Sequence, residues 1–313
     1  MVKVEEKIEI MNLLQSKQMI ENELQSLAYG SVEIRENNSK RYIYVHYREN
    51  GVALTKYVGE YSDELYNLVL NNSIKAKELK RQIREISKKL KQLNYVEEEI
   101  SPKVEQNIDF AKRHLVDTIY KQAILEGVAT TFADTESIIE GGKVNNMTSE
   151  DILKVVNLKH AWEFILNKNV ILSPTNFALL CEINKLIEEG FYYSAGKIRN
   201  VPVTIGGTKW QPSLPIESVI KEELEEILKM DIDEVDKAIN LLLYVMKRQV
   251  FIDGNKRTSV IFSNHYLISK GKGIIVIPAE LTEEFKNLLI SYYEENNEEQ
   301  IKEFLKEKCY MSI

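Results

Sequence analysis

Apolar residues recur every three or four positions in the first stretch of the chain, and the spacing then changes to alternation. Over residues 3–27 this spacing predicts an amphipathic helix; its apolar positions are Ile8, Met11, Leu14, Ile20, Leu24 and Leu27. Between residues 32 and 58, apolar and polar residues alternate in three short runs. Turn residues separate the runs at 37–39 and 49–51. This pattern predicts a three-stranded antiparallel meander.

A long helix is predicted next, at residues 63–98, with a short heptad-like apolar seam. Its remaining positions carry a run of cations: Lys75, Lys77, Lys80, Arg81, Arg84, Lys88, Lys89 and Lys91. A charge run most often marks a solvated helix face, and we expect solvent there. Nucleic-acid contact, helped by Tyr42, Tyr44 and Tyr47 of the meander, is the less favoured alternative. Formation of a homodimer through the apolar seam is the third.

Helical spacing dominates the rest of the chain, after a helix break at Ser101-Pro102. The predicted helices cover residues 103–126, 149–168, 174–189, 216–229, 232–248, 256–269, 281–295 and 298–308. Between two of them, Val201, Val203 and Ile205 alternate ahead of a Gly-Gly turn, which predicts a β-hairpin. We therefore expect an accessory domain at 1–100, a helical domain at 101–280, and C-terminal helices at 281–313 packed on it.

Composition describes an ordinary soluble chain of 313 residues, 44% hydrophobic and 28% charged, with a net charge of -7. No apolar run reaches the length of a membrane span, and the acidic start is unlike a signal peptide, so we expect a cytoplasmic protein without membrane contact. Cys181 and Cys309 stand alone, and the four histidines lack zinc-binding spacing. A metal here would be Mg²⁺ on carboxylate and phosphate oxygens.

The candidate chemistry lies where Asp253-Gly254-Asn255 leads directly into a predicted helix that begins with Lys256 and Arg257. Free backbone N–H groups at a helix start bind anions, phosphate above all. Cations in the first turn oppose the helix dipole, and a bound polyphosphate would remove that conflict. A lone motif of this kind is more often an ordinary loop.

This stretch resembles the active-site signature of the Fic/Doc family, His-x-Phe-x-Asp/Glu-Gly-Asn-Gly/Lys-Arg. It matches at Phe251, Asp253, Gly254, Asn255, Lys256 and Arg257. The resemblance implies a mainly α protein with a Fic-fold helical domain and a β-hairpin flap. It also implies an enzyme that moves AMP from ATP to a hydroxyl side chain of a target protein, or of itself.

Carried over by this resemblance, Asp253 would hold Mg²⁺ and Arg257 would neutralise the phosphates. The amides of Gly254, Asn255 and Lys256 would cradle the phosphates, and Asn255 would fix the loop. Phe251 is expected in the core. The catalytic set implied is the position of Gln249 together with Asn255 and Arg257.

Gln249 stands where the family has its general-base histidine. An amide can orient a hydroxyl group but cannot accept its proton at neutral pH, and loss of a general base typically costs about 10²- to 10⁴-fold in rate. Three explanations remain open: a deliberate inactivating substitution, a natural variant with a different base or reaction, or a nucleotide-binding pseudoenzyme that regulates a partner.

Lys256 opens a further alternative. The Doc toxins carry lysine at this position and transfer a phosphate, so protein kinase activity is the second reading. Those toxins have alanine where this chain has Gly254, and AMP transfer therefore stays first.

Two other segments resemble family elements. Glu140-Gly141 resembles the end of the autoinhibitory segment, which makes Glu140 a candidate inhibitory residue. The second arginine that such a glutamate pairs with is Val260 here, so Glu140 would need Arg257, or is simply part of a glycine-capped helix end. Gly196-Lys197-Ile198-Arg199 resembles the start of the flap. A flap binds an extended target peptide along its strand edge; its residues here would be Lys197, Arg199, Val203, Thr204 and Ile205.

Overall fold

Helices dominate the structure, a computed structural model that describes residues 4–37, 40–49, 52–93, 95, 100–145, 147–295 and 297–313. The chain divides into two units, Met1–Val96 and Glu97–Ile313. The division into three domains at 100 and 280 stays a prediction. In the described residues no helix is both long and apolar enough to cross a membrane.

The N-terminal unit contains the predicted helix, meander and second helix: α1 Val4–Ser26, β1 Ser31–Asn37, β2 Lys40–Glu49, β3 Val52–Glu60 and α2 Asp63–Gln92. The sheet is antiparallel in the order β1-β2-β3, which confirms the meander. Its predicted turn residues 38–39 and 50–51 lie outside the described residues. One sheet face packs on α2, because Ile43 and Val45 are fully buried together with Val69.

Helix α2 begins where its sequence dictates, since the Ser62 side chain accepts a hydrogen bond from the amide of Leu65 at 3.1 Å. It ends at Gln92, earlier than the predicted 98; residues 96–99 lie outside the described part.

The second unit follows the predicted order of helices. Its elements are α3 Pro102–Arg113, α4 Leu115–Leu125, α5 Phe132–Ile139, α6 Ser149–Ile165, α7 Lys168–Ile171, α8 Phe177–Ile187, α9 Glu217–Lys229, α10 Glu234–Arg248, α11 Asn255–Ser269, β4 Ile274–Ile275, α12 Thr282–Glu295, α13 Glu298–Phe304 and β5 Tyr310–Met311. Ser101 caps α3 and Pro102 occupies its first turn. The single helix predicted at 103–126 is two helices, which meet at His114.

Helix α11 is buried on all sides, and it positions the loop that precedes its N-terminus. From Arg257 to Ile268 every residue is buried, including the polar Ser263, Asn264 and His265. Hydrogen bonds satisfy these groups, as burial requires. Asn264 donates to and accepts from the backbone of Ile275 at 2.8 Å, and His265 bonds Thr175 and the carbonyl of Val170 at 2.9 Å. Burial lowers the pKa of His265 to about 4, so it is a neutral core residue.

The C-terminal helices pack against this helical body. The strands β4 and β5 pair antiparallel, and the hydroxyl of Tyr293 on α12 donates to the carbonyl of Met246 on α10 at 3.0 Å. Helix α12 is thereby held beside the loop that joins α10 to α11.

Candidate functional site

The loop between α10 and α11 is closed by one side chain, that of Asn255. Its Oδ1 accepts from the amide of Phe251 at 2.9 Å, and its Nδ2 donates to the carbonyl of Phe251 at 2.8 Å and to Oε1 of Gln249 at 3.1 Å. Phe251 is 1% exposed and anchors the loop in the core. Asn255 thus connects the two ends of the loop, and its place in the implied catalytic set stays a prediction.

Gln249 ends α10 in the left-handed conformation, with φ 48° and ψ 62°. In the described residues it is the only non-glycine residue with positive φ. Its Nε2 donates to the carbonyl of Met246 at 2.6 Å, while its own carbonyl accepts from Nε of Arg199 at 2.6 Å. Backbone strain and hydrogen bonds together hold this side chain in one orientation, and such strain is typical of functional sites.

A cavity of about 540 Å³ opens beside this loop. Four parts of the chain surround it: Glu126 after α4, the α10–α11 loop with the start of α11, the extended segment at 203–207, and helix α12. The lining residues are Glu126, Val203, Thr204, Ile205, Gly206, Gly207, Gln249, Ile252, Asp253, Asn255, Lys256, Lys286, Leu289, Ile290 and Tyr293. The four residues from α12 were not predicted, since nothing in their helical spacing marks them as site residues.

The N-terminus of α11 borders this cavity, and backbone amides of its first turn have no hydrogen-bond partner in the described residues. The helix begins after Gly254, which has φ 73°, and no side chain caps it. The amide of Gly254 donates to Oδ1 of Asp253 at 2.6 Å, and the first intrahelical bond of the helix is made by Thr258. The amides of Asn255, Lys256 and Arg257 therefore have no partner in the described residues, which is the condition for anion binding at a helix start.

Comparison with known proteins identifies this region. Residues 174–267 match the family model described as Fic/DOC family. This segment is a Fic/DOC domain. It runs from the residues just before α8 to the end of α11 and so contains the loop, the extended segment and the buried helix.

Solved structures give the same fold. The chain superposes on a Fic-domain-containing signalling protein from Bacteroides thetaiotaomicron with a TM-score of 0.51 at 21% identity, covering 62% of this chain and 76% of that one. Fic-1 from C. elegans superposes with a TM-score of 0.52 at 17% identity, covering 78% of this chain and 77% of that one. A Fic family protein from Desulfovibrio desulfuricans superposes with a TM-score of 0.52 at 14% identity, covering 66% of this chain and 72% of that one. No curated protein sequence matches the chain.

Within the Fic/DOC domain, Arg257 lies behind the cavity wall. It is 3% exposed, and three carboxylates surround it. Its Nη2 is 2.8 Å from Oε1 of Glu188 and 3.7 Å from Oδ1 of Asp253, and its Nε is 3.5 Å from Oε2 of Glu126. Glu126 also lies 3.8 Å from Nζ of Lys256. Arg257 was predicted to neutralise phosphates. Its charge is compensated here by the protein's own carboxylates.

These ion pairs are poorly aligned as hydrogen bonds. The buried Nε and Nη1 of Arg257, Oε1 of Glu188 and Oε1 of Glu126 have no hydrogen-bond partner in the described residues. Burial raises the pKa of Glu188 to about 7, although the charge of Arg257 opposes that change. The cluster therefore holds unsatisfied polar atoms next to the cavity, a costly arrangement in a protein interior.

Two buried amides that were not predicted position this cluster. Asn184 on α8 donates to the carbonyl of Asp253 at 3.0 Å and to the hydroxyl of Thr258 at 3.1 Å, and it accepts from the amide of Gly196 at 2.9 Å. Gln122 on α4 donates to the carbonyl of Arg257 at 2.9 Å. Asparagine and glutamine on amphipathic helices give no local sign of such long-range contacts.

Asp253 lies at the cavity with its side chain 53% exposed. Its Oδ1 accepts a hydrogen bond from the amide of Gly254. In the described residues no group of three or more metal-ligating side chains exists. The site fits Mg²⁺ only as a bridge between one carboxylate and substrate phosphates, the usual arrangement for that ion.

The predicted flap is an extended loop with a turn at Gly206-Gly207, and no strand forms in residues 200–215. The predicted hairpin pairing is therefore wrong. Pro202 and Pro212 have no amide to donate across a hairpin, and Arg199 takes several of the carbonyls instead. Val203, Thr204 and Ile205 do line the cavity, whereas Lys197 is exposed and does not.

Arg199 was predicted as a target-binding residue of the flap, but its side chain is buried within the protein. It is 2% exposed and donates to four carbonyls, those of Gln249, Val201, Pro212 and Ser213. Its own amide donates to the carbonyl of Val250 at 3.1 Å. One guanidinium therefore connects both ends of the flap to the α10–α11 loop.

Glu140 is exposed at the C-terminal end of α5, ahead of Gly141 with φ 80°. In the described residues Arg257 has ion pairs only with Glu188, Glu126 and Asp253. The suggested Glu140–Arg257 contact is absent from this arrangement, and the glycine-capped helix end describes what is seen.

Proposed function

We propose that this chain is a Fic-type nucleotidyltransferase, which moves AMP from ATP to a hydroxyl side chain of a target protein or of its own chain. The observation that carries the proposal is the row of unbonded amides at Asn255, Lys256 and Arg257 beside a cavity of about 540 Å³. That volume lies within the range of small-molecule sites, about 300–1,000 Å³. Polar and apolar walls suit the two ends of a nucleotide.

The polyphosphate end would lie at the head of α11. The amides there and the ammonium groups of Lys256 and Lys286 supply donors and positive charge. In the described residues Lys286 has no ion pair, so its charge is available to a ligand. Asp253 would hold Mg²⁺, which when bound would neutralise charge that develops on the phosphates.

The transfer would break the bond between the α-phosphorus and the bridging oxygen of the β-phosphate, and form one to the target hydroxyl oxygen. Pyrophosphate leaves, and the hydroxyl proton would pass to solvent water. Gln249 cannot take it, because a neutral amide does not accept a proton at neutral pH. Its hydrogen bonds, from Asn255 to its Oε1 and from its Nε2 to Met246, only hold the amide in place. Binding, orientation and electrostatics remain, so we expect slow transfer as the chain stands.

The target segment would lie along the flap. Val203, Thr204 and Ile205 border the cavity in an extended stretch without strand partners. Extended backbone with unpaired amides and carbonyls can bind an extended peptide with little demand on its sequence. A target hydroxyl would then lie between the flap and Gln249.

A nucleotide-binding regulator is the second candidate. Two observations favour it: Gln249 has both ends of its amide occupied, and Arg257 is neutralised by Glu188 and Glu126. Such a protein would bind ATP and transfer nothing.

Labelled ATP separates these functions. The parent and the Gln249→His variant are incubated with Mg²⁺ and with ATP labelled at the α or the γ position, with Gln249→His/Asp253→Asn as the matched control. We expect α-label on protein with Gln249→His, about 10²- to 10⁴-fold faster than with the parent, and little with the control. Label from the γ position alone would mean phosphate transfer instead.

Calorimetric titration with ATP and Mg²⁺ tests binding independently of chemistry. The parent should bind, and Lys256→Ala should bind about 10-fold more weakly, a loss of about 1.4 kcal/mol. Arg257→Ala is avoided, because it would leave buried carboxylates without a counter-charge. Binding without label in either form would establish the regulator. No binding would overturn both candidates.

A further inference from the structure

The cations of helix α2 form one continuous stripe. Lys77, Arg81, Arg84, Lys88 and Lys91 are all exposed and follow one another at spacings of four, three, four and three residues. At 3.6 residues per turn these positions fall within about 80° of the helix circumference. The stripe is about 21 Å long, from the rise of 1.5 Å per residue.

The stripe lies opposite the packed side of the same helix. The buried residues Ala76, Leu79 and Leu90 are on the far face. Packing of the N-terminal unit therefore leaves the stripe uncovered by that unit and fixes which cations share a face, a relation that the charge run alone does not give.

Most of these cations form no ion pair within the described residues. In the described part of the chain only Arg81 of the five forms an ion pair, with Glu78 at 2.7 Å. Cations elsewhere in the unit are used differently: Lys75 pairs with Glu23 on α1, Lys40 pairs with Glu60 at 3.1 Å, and Lys80 stacks over the ring of Tyr29 at 4.6 Å.

The local charge contrasts with the rest of the protein. Residues 75–91 contain eight lysines and arginines against Glu78 and Glu85, whereas the whole chain has a net charge of -7. Like charges at i,i+4 and i,i+3 destabilise a helix by a few tenths of a kcal/mol per pair. A linear polyanion along the stripe would remove this repulsion and release its own counterions.

We propose that α2 binds the phosphate backbone of nucleic acid along this stripe, without reading base sequence. A row of cations at regular spacing matches a polymer with regularly spaced negative charges. Contacts of this kind position a backbone and carry no sequence information. The inference does not depend on the proposed transfer reaction.

Salt dependence tests it. The full-length protein is titrated into a fluorescein-labelled 20-nucleotide DNA strand and into the 20-base-pair duplex, with anisotropy as the readout at several KCl concentrations. Five phosphate contacts predict a slope of log K against log salt of about -3.5 for the single strand and about -4.5 for the duplex. Several unrelated sequences should bind alike.

Matched variants assign the binding to the stripe. Lys77→Ala/Lys88→Ala should weaken binding at low salt about 10-fold or more and reduce the size of the slope by about 1.4 to 1.8. Lys56→Ala/Lys89→Ala removes two exposed cations that lie off the stripe and should change neither quantity. All four side chains are exposed, and circular dichroism verifies that both variants keep their helix content.

Three results would overturn the proposal. One is no binding by the parent at 20 mM KCl. Another is an equal loss in both double variants, which would mean that only overall charge matters. The third is tighter stripe-dependent binding to vesicles with anionic lipid than to either nucleic acid, which would make α2 a membrane-surface helix instead.

Discussion

Arg257 and Glu188 form an ion pair with Nη2 and Oε1 2.8 Å apart, and their side chains are 4% and 3% exposed. The pair lies beneath the α10–α11 loop, so the charge of Arg257 is compensated by the protein's own carboxylates. Removal of either partner would leave a buried charge alone, which is strongly destabilising. The pair therefore contributes to stability and determines how much of the charge of Arg257 is left uncompensated.

Glu188 should make stability depend on pH. Burial raises its folded-state pKa to about 7 from 4.5, so the folded state binds the proton more tightly than the unfolded state. Its contribution is complete below about pH 4.5 and is lost as pH rises through 7, by about 1–3 kcal/mol. Urea unfolding from pH 4.5 to 8 should show the parent losing stability relative to Glu188→Gln.

Glu140→Gln is the control for that comparison, because Glu140 is exposed. Its profile should follow the parent. A parent that gains stability relative to Glu188→Gln over this range would show that Arg257 outweighs burial and that the pKa is lowered.

Gly254→Ala should distort the α10–α11 loop. A Cβ at Gly254 would lie 2.3 Å from Oε1 of Glu188, and the residue has φ 73°. We expect a loss of about 2–4 kcal/mol in unfolding free energy, from backbone strain plus the clash. Gly127→Ala is the matched control, since Gly127 has φ 77° with nothing near its Cβ position, and it should lose only about 1 kcal/mol. Equal losses in the two variants would show that Glu188 moves aside freely.

At position 249 a glycine should give a more stable protein than an alanine, the reverse of their order inside a helix. Both substitutions remove the side-chain hydrogen bonds to Met246 and Asn255. They differ in the left-handed backbone at φ 48°, which glycine adopts at little cost. Gln249→Gly should therefore be about 1 kcal/mol more stable than Gln249→Ala in urea unfolding. Equal stability, or greater stability for alanine, would mean that the loop relaxes out of this conformation.

Arg199 should control the order of the flap. Arg199→Ala leaves the carbonyls of Gln249, Val201, Pro212 and Ser213 without their donor. Amide hydrogen exchange in residues 200–214 should become at least about 10-fold faster, as expected for a segment that opens locally. Lys197→Ala, at an exposed position of the same segment, should leave exchange unchanged. Unchanged exchange in Arg199→Ala would show that the flap is held by other contacts, such as those of Thr208 with Glu294.

Several elements followed directly from local sequence. The meander, the Ser-capped helices and the helix that begins at Asn255 depend on residue spacing, caps and glycine, all within a few positions of one another. The flap shows the limit of such reasoning. Its alternating residues indicated a hairpin, yet prolines removed amide donors and Arg199 captured the carbonyls, so no strands formed.

The sequence by itself determined the order of the helices, the loop at 249–257 and the residues of that loop that resemble a phosphate site. The tertiary structure decided what surrounds it: the pairing of Arg257 with Glu126 and Glu188, the fixing of the loop by Asn184 and Gln122, and the cavity wall from α12. The reason is physical. Caps and helix starts arise from neighbours along the chain, whereas burial, cavities and long-range ion pairs arise only when distant helices pack together.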